Sequence, residues 1–397
     1  MTREVSFITT NERQMKPRKK PKPESISEDL RAERPVLVGA ATTLIFFTVG
    51  ASWTDDLAHL GMTALLFIWL FTVMVWCAFG VVRHAEVLAE YLGEPYGTLI
   101  LTIAAVSIEV TIMATVMLRG DPNPTLPRDT VFAVLMIVLN GMIGLTVVAG
   151  ALNHRQQQYN LQGAVAFLAV ITCLAVISLV VPTFTTSTAD HTMTTLQAIV
   201  FGLLTALLYG GFLMIETVRH RAFFMEAKAV NRVAGAEPAH EPGHGPRRSI
   251  SYHAGLLFLT LLPVVLLSEK LAEVIDYGIE KLHAPTTLGG ILIAILILSP
   301  EGLTAFQAAR RNHLQRSVNL LLGSGLSTIG LTIPVMLALS LVINLPLQMG
   351  LEAVPAILLV LTLFIAQMTF SGAPTNILLG GVHLVLFIAF IVLIFNP

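Results

Sequence analysis

The apolar positions of this chain fall into long unbroken runs separated by short polar gaps. Runs of about 17 to 25 apolar residues are long enough to cross the roughly 30 Å hydrocarbon core of a bilayer. They predict helices over 36–53, 60–82, 96–118, 129–151, 160–182 and 195–218. A polar stretch rich in His, Gly and Pro follows at 219–252, and further helices are predicted over 253–275, 287–309, 317–343, 353–371 and 375–395. The pattern is that of an all-α polytopic membrane protein with about eleven transmembrane helices. Arg83 to Leu92 (RHAEVLAEYL) carries a mixed polar face and prolongs the second helix until Gly93 and Pro95 break it.

Composition agrees: 54% of the 397 residues are hydrophobic and 12% charged, against about 25% charged in soluble domains. That excludes an ordinary water-soluble fold. Cys77 and Cys173 stand alone within apolar runs, which leaves no disulfide framework and no CxxC metal or redox site. The long basic tail lacks an A-x-A cleavage pattern, so the first span is expected to be retained.

Net charge is −1, but its distribution is uneven, because the first 34 residues hold nine of the 24 Lys and Arg. With this tail inside and the chain alternating sides at each span, twenty basic residues fall inside and four (Arg119, Arg128, Lys270, Lys281) outside. The positive-inside rule thus supports eleven spans, a cytoplasmic N-terminus and an outside C-terminus, using residues that did not define the spans.

The two halves share two matched segments. Gly97, Ser107 and Glu109 align with Gly289, Ser299 and Glu301, and Ile143-Gly144-Leu145-Thr146 aligns with Ile329-Gly330-Leu331-Thr332. The matches keep one order and fall in adjacent helix pairs of each half. Under the topology above, the Glu109 helix runs outward and the Glu301 helix inward, so the halves are inverted, as in many secondary transporters. Each glutamate sits near the middle of its span. An intramembrane carboxylate is costly and normally faces a partner, a cavity or an ion path. Converging on one cation, the two would neutralise Ca²⁺; without the cation they would take up protons, because bare charges are unfavourable in low dielectric. The structural alternative is a pair of buried acids satisfied by local hydrogen bonds.

Supporting oxygens are offered by Ser107 and Ser299, two residues before their glutamates, with Pro300 placed to break the helix and free carbonyls. Asn140 and the run Ser324, Ser327, Thr328 lie beside glycines in the partner helices. Thr304 follows Glu301 by one turn, and Thr102 precedes Glu109 by two. For each of these, packing of small residues between helices is the other reading, and the sequence leaves both open. His220, His240, His244 and His253 are irregularly spaced, which suits solvated loop positions better than a metal site.

The segments RHAEVLAEYLGEPYGTLILTIAAVSIEV and LSPEGLTAFQAARRNHLQRSVNLLLGSG resemble the calcium/cation antiporter superfamily, in its bacterial branch of ChaA-type calcium/proton antiporters. The resemblance extends from about Arg83 to the C-terminus. It implies one leading helix and two inverted five-helix repeats, with alternating access around one glutamate per repeat, Glu109 and Glu301. The organisation expected is a basic cytoplasmic tail (1–34), a leading helix (35–56), a first repeat (57–218), a cytoplasmic loop (219–252) and a second repeat (253–397). Many relatives carry G-N-A-x-E before each glutamate. This chain has Ala105-Val106-Ser107-Ile108-Glu109 and Ile297-Leu298-Ser299-Pro300-Glu301, without the asparagines. The expected activity is export of Ca²⁺ across the cytoplasmic membrane in exchange for H⁺, the alternative being mainly Na⁺/H⁺ or K⁺/H⁺ exchange. No cofactor and no nucleic acid is implied; the partners are small inorganic cations, protons and membrane lipid. An intramembrane enzyme is disfavoured by the absence of HExxH and G-x-S-x-G, and a passive channel by the internal duplication.

Overall fold

The computed structural model describes residues 33–50, 52–54, 57, 59–93, 96–118, 124–188, 192–219, 221–224, 248–372 and 374–396. The basic tail through residue 32 and loop residues His220, His240 and His244 lie outside these. The described residues form eleven long apolar helices: α1 (Arg34–Phe47), α2 (Leu60–Leu92), α3 (Tyr96–Met117), α4 (Leu126–His154), α5 (Leu161–Phe184), α6 (Thr195–Arg219), α7 (Ile250–Leu282), α8 (Thr287–Arg310), α9 (Leu314–Ile343), α10 (Ala353–Thr369) and α11 (Ile377–Phe395). Leu196, Leu203 and Leu207 of α6 and Ile357 and Phe364 of α10 are exposed on the outside of the bundle, a surface suited to lipid chains.

The helix bounds follow the apolar runs closely, with two differences. α1 stops at Phe47 rather than continuing to residue 53, because the chain folds back there. Gly50 donates to the Ile45 carbonyl at 2.8 Å, and Trp53 stacks beside Phe46 and Trp69 with centroids 5.7 and 6.2 Å away. α7 extends to Leu282, well past the end of its apolar run, and Lys270 within it donates to Thr54 at 2.9 Å and pairs with Glu273 at 3.2 Å. α2 ends at Leu92 as expected, with Gly93 at φ +64°, a left-handed value that glycine adopts freely.

Helix directions can be read from paired residues. Along α2 and α7, Gly80 faces Thr260, His84 contacts His253, and Tyr91 donates to the Arg248 carbonyl, so the two helices are antiparallel. α4 and α8 are parallel: Gly290 abuts Asp129 and Thr130, and twelve residues on Gly302 abuts Met142. α3 packs back along α2 and α8 turns back against α7; since α2 and α7 are antiparallel, α3 and α8 point in opposite directions.

The matched glycines do equivalent jobs in the two halves. Gly144 of α4 lets Leu384 and the Gly380 backbone of α11 approach, while Gly330 of α9 admits the Tyr209 ring of α6. In each case a Cβ would fall within about 3 Å of the neighbouring helix, which is the close approach that small residues permit between membrane helices.

Apolar side chains gather into two separate cores. One joins α1, α2 and α7 with one face of α3 (Ala104, Ile108, Ile112) and of α8 (Ile293, Leu296, Ile297). The other joins α4, α5, α6, α9, α10 and α11 with the remaining faces of α3 (Met113, Met117) and α8 (Ala294, Leu298, Ala305). The two glutamate helices therefore lie between the two clusters, contributing one face to each.

Candidate cation-binding site

Glu109 lies in the middle third of α3 and is 2% exposed. Thr328 of α9 donates to its Oε2 at 2.9 Å, and the Thr332 hydroxyl one turn further approaches the same carboxylate. Glu301 of α8 faces the Ser324 hydroxyl, also from α9. The two carboxylates are close enough for their charges to interact. Oε1 of Glu109, Oε2 of Glu301 and Oγ1 of Thr332 are buried without a settled hydrogen-bond partner. Buried polar oxygens left open in this way are expensive unless something else occupies them.

Helix α9 delivers these hydroxyls from one face, since Ser324, Thr328 and Thr332 are spaced four residues apart, and the helix makes a π-turn over Thr328–Thr332. Pro300 does not break α8, which runs continuously from Thr287 to Arg310, although its ring leaves the Leu296 carbonyl without the usual amide donor.

Of the other candidates, Ser107 and Ser299 do not reach the carboxylates. They donate instead to the carbonyls of Ile103 and Ile295, four residues back, an identical arrangement in the two halves. Ser327 donates to the Ser324 carbonyl at 2.9 Å and Thr304 to the Pro300 carbonyl at 2.9 Å. Thr102 bonds to Tyr209 of α6. Asn140 is fully buried but turned toward α10 and α11, where its amide donates to Thr362 at 2.8 Å. Thr332 was legible only as the last residue of the matched I-G-L-T segment, and nothing in the local sequence distinguished its hydroxyl from the many others in apolar helices.

A bundle with paired acids at a seam suits coupled ion movement, and comparison with known proteins decides the class. The family model described as sodium/calcium exchanger protein matches residues 62–218 and 252–396. The chain belongs to this family. This exchanger is thus a multi-pass membrane transporter of cations and not an enzyme. It is 43% identical over 317 residues to a putative ionic transporter, y4hA, of Sinorhizobium fredii, covering 79% of this chain and 84% of that one. It is 38% identical over 320 residues to the sodium-potassium/proton antiporter ChaA of Escherichia coli, covering 80% and 85%. Among solved structures, the Ca²⁺/H⁺ antiporter YfkE aligns with a TM-score of 0.70 at 17% identity, over 93% of this chain and all of that one, a likeness of fold.

Proposed function

We propose that the exchanger moves a cation, Ca²⁺ foremost, out of the cell against protons moving in, with Glu109 and Glu301 binding both in turn. The observation that carries this reading is the pair of intramembrane carboxylates on oppositely directed helices, Glu109 buried and Glu301 half-buried, each keeping one buried oxygen open between the two cores. Four carboxylate and three hydroxyl oxygens, the latter from Thr328, Thr332 and Ser324, match the 6 to 8 oxygen ligands Ca²⁺ takes, and two glutamates balance its charge. When the cation leaves, protons replace it, since two adjacent carboxylates cannot both stay ionised in a dry site. Movement of one core against the other would open the seam to each side in turn. The N-terminus is placed in the cytoplasm, and the repeats are assigned to 57–218 and 253–397 around a cytoplasmic loop.

A second reading, Na⁺/H⁺ or K⁺/H⁺ exchange, draws support from the 38% identity to the sodium-potassium/proton antiporter. Apolar Ala105, Val106, Ile297 and Leu298 before the glutamates also leave few side-chain oxygens on α3 and α8 themselves. Proton flux in inverted membrane vesicles on adding CaCl₂, NaCl or KCl separately tests both. Wild type should respond to Ca²⁺, and Glu109→Gln and Glu301→Gln should abolish the response. A response to monovalent ions alone selects the second reading, and normal exchange by both variants overturns the carboxylate mechanism.

A further inference from the structure

The last apolar run contains one ionisable residue, His383, which sits fully buried in α11 within the larger core and touches neither glutamate. A polar side chain at such depth normally has defined partners, and here they are all described residues of neighbouring helices. Nδ1 lies 3.3 Å from Oδ1 of Asn140, and the Leu139 backbone approaches the ring. Nε2 lies 2.9 Å from the Thr369 hydroxyl of α10. Asn140 in turn donates to Thr362 of α10 at 2.8 Å. Since the Asn140 amide nitrogen donates to Thr362, its Oδ1 is the acceptor facing the ring, so the imidazole proton belongs on Nδ1 and Nε2 accepts from Thr369.

Leu139 and Asn140 are the centre of the π-turn Ile137–Met142 in α4. A π-turn inserts one residue into the helical ladder, so a carbonyl loses its ordinary α-helical donor and the local register is free to slip back. His383 holds the Asn140 side chain of this turn from outside, with the Leu139 backbone next to its ring. The turn ends at Met142, whose thioether lies over Gly302: a Cβ at Gly302 would sit 2.5 Å from Met142 Cε and 3.0 Å from Sδ. Gly302 is the residue after Glu301. Gly141 and Gly144 seat Phe387 and Leu384 of α11 against the same stretch of α4, so His383 and the turn it grips form one rigid contact.

The geometry points to His383 as a positioning residue for cation binding, acting through the π-turn of α4 and Met142 on the α8 segment that carries Glu301. This rests on Glu301 being part of the exchange site. If the π-turn reverted to α-helical register, Met142 would rotate off Gly302 and the Glu301 carboxylate would lose its fixed depth.

Two substitutions separate this role from plain core packing, because they keep different halves of the imidazole's bonding. His383→Asn retains a polar group at the Nδ1 position, facing Leu139 and Asn140, and His383→Gln retains one near Nε2, facing Thr369. The purified variants are reconstituted in proteoliposomes, cation-dependent proton flux is titrated with CaCl₂ and with NaCl, and thermal melting is recorded in detergent. His383→Gln should raise the half-saturating cation concentration about tenfold with a maximal rate within about twofold of wild type, the loss expected for one buried hydrogen bond. His383→Asn should stay within about twofold on both, although both variants melt earlier by similar amounts. A wild-type half-saturation in His383→Gln, or equal shifts in both variants that follow the melting temperatures, overturns the assignment. Glu301→Gln is measured alongside. Its inactivity together with normal His383→Gln overturns only the role of His383, whereas an active Glu301→Gln overturns the exchange site on which that role rests.

Discussion

Thr328 of α9 donates its hydroxyl hydrogen to Glu109 of α3 at 2.9 Å, joining the second half of the chain to the first. The hydroxyls gathered at both glutamates come from α9, with Ser324 serving Glu301, while the matching helix α4 turns its Asn140 away. Duplication thus produced two similar carboxylates, and the second half came to furnish the surroundings of both.

Thr328→Val keeps the shape of the side chain and removes the donor. A hydrogen bond to a charged group contributes about 1.5 to 3 kcal/mol, so cation affinity should fall roughly tenfold to a hundredfold. Thr328→Ser should recover most of it. Titration of cation-dependent proton flux provides the measurement, and an unchanged Thr328→Val would show that this bond does not matter to the bound state.

Ser107→Ala and Ser299→Ala should transport almost normally. Both hydroxyls already bond to carbonyls of their own helices, and deleting such a bond leaves only a carbonyl that keeps its amide donor, a loss on the order of 1 kcal/mol at most. A large loss of cation affinity in either variant would mean that these side chains swing toward the carboxylates when the ion is bound.

Gly330→Ala should cost about 1 to 3 kcal/mol of stability by overpacking. Its Cβ would lie 2.4 Å from the Tyr209 ring root, which cannot retreat without moving α6. Gly302→Ala should be milder, since the atom in its way is the terminal methyl of Met142. Thermal melting of both proteins, with Tyr209→Ala added to Gly330→Ala as a compensating change, checks the order.

Arg128→Leu should destabilise more than Asp129→Asn. The two form a buried pair at 2.8 Å, and Arg128 has a further bond to the Gly350 carbonyl at 3.0 Å. Removing the arginine leaves a buried carboxylate with only the Thr125 hydroxyl, at 2.9 Å, and beside Glu352, whereas removing the carboxylate leaves the guanidinium with a carbonyl partner and an acidic neighbour. Breaking a buried pair typically costs about 3 to 5 kcal/mol, and unfolding midpoints in detergent would show whether Arg128→Leu bears the larger share.

The helices and their number were legible in the chain, and two acids stood out in it as candidates, because each depends on local chemistry. A run of apolar side chains must satisfy its backbone within itself to enter lipid, and a carboxylate such as Glu109 or Glu301 in such a run is conspicuous by its cost. The matched glycines were legible as well, and the structure shows why they match: Gly144 and Gly330 both admit a neighbouring helix.

Side-chain direction was not legible. Asn140 and Ser107 were credible ligands by position, yet one faces His383 and the other its own helix. Thr332, among the least conspicuous of hydroxyls, approaches Glu109. Packing between helices decides these directions: Asn140 is held by Thr362 and His383, and Thr328 lies on the face of α9 turned toward Glu109.

By itself, then, the sequence determined that this chain lives in a membrane as eleven helices, with Glu109 and Glu301 set inside apolar runs of its two halves. Hydrophobicity and charge act residue by residue, so they survive in a one-dimensional reading. Only the tertiary structure decided that α9 supplies hydroxyls to both acids, that α3 and α8 divide their faces between two cores, and that His383 grips the turn beside Glu301. Those relations join residues up to 243 positions apart, and they exist only once the helices have packed.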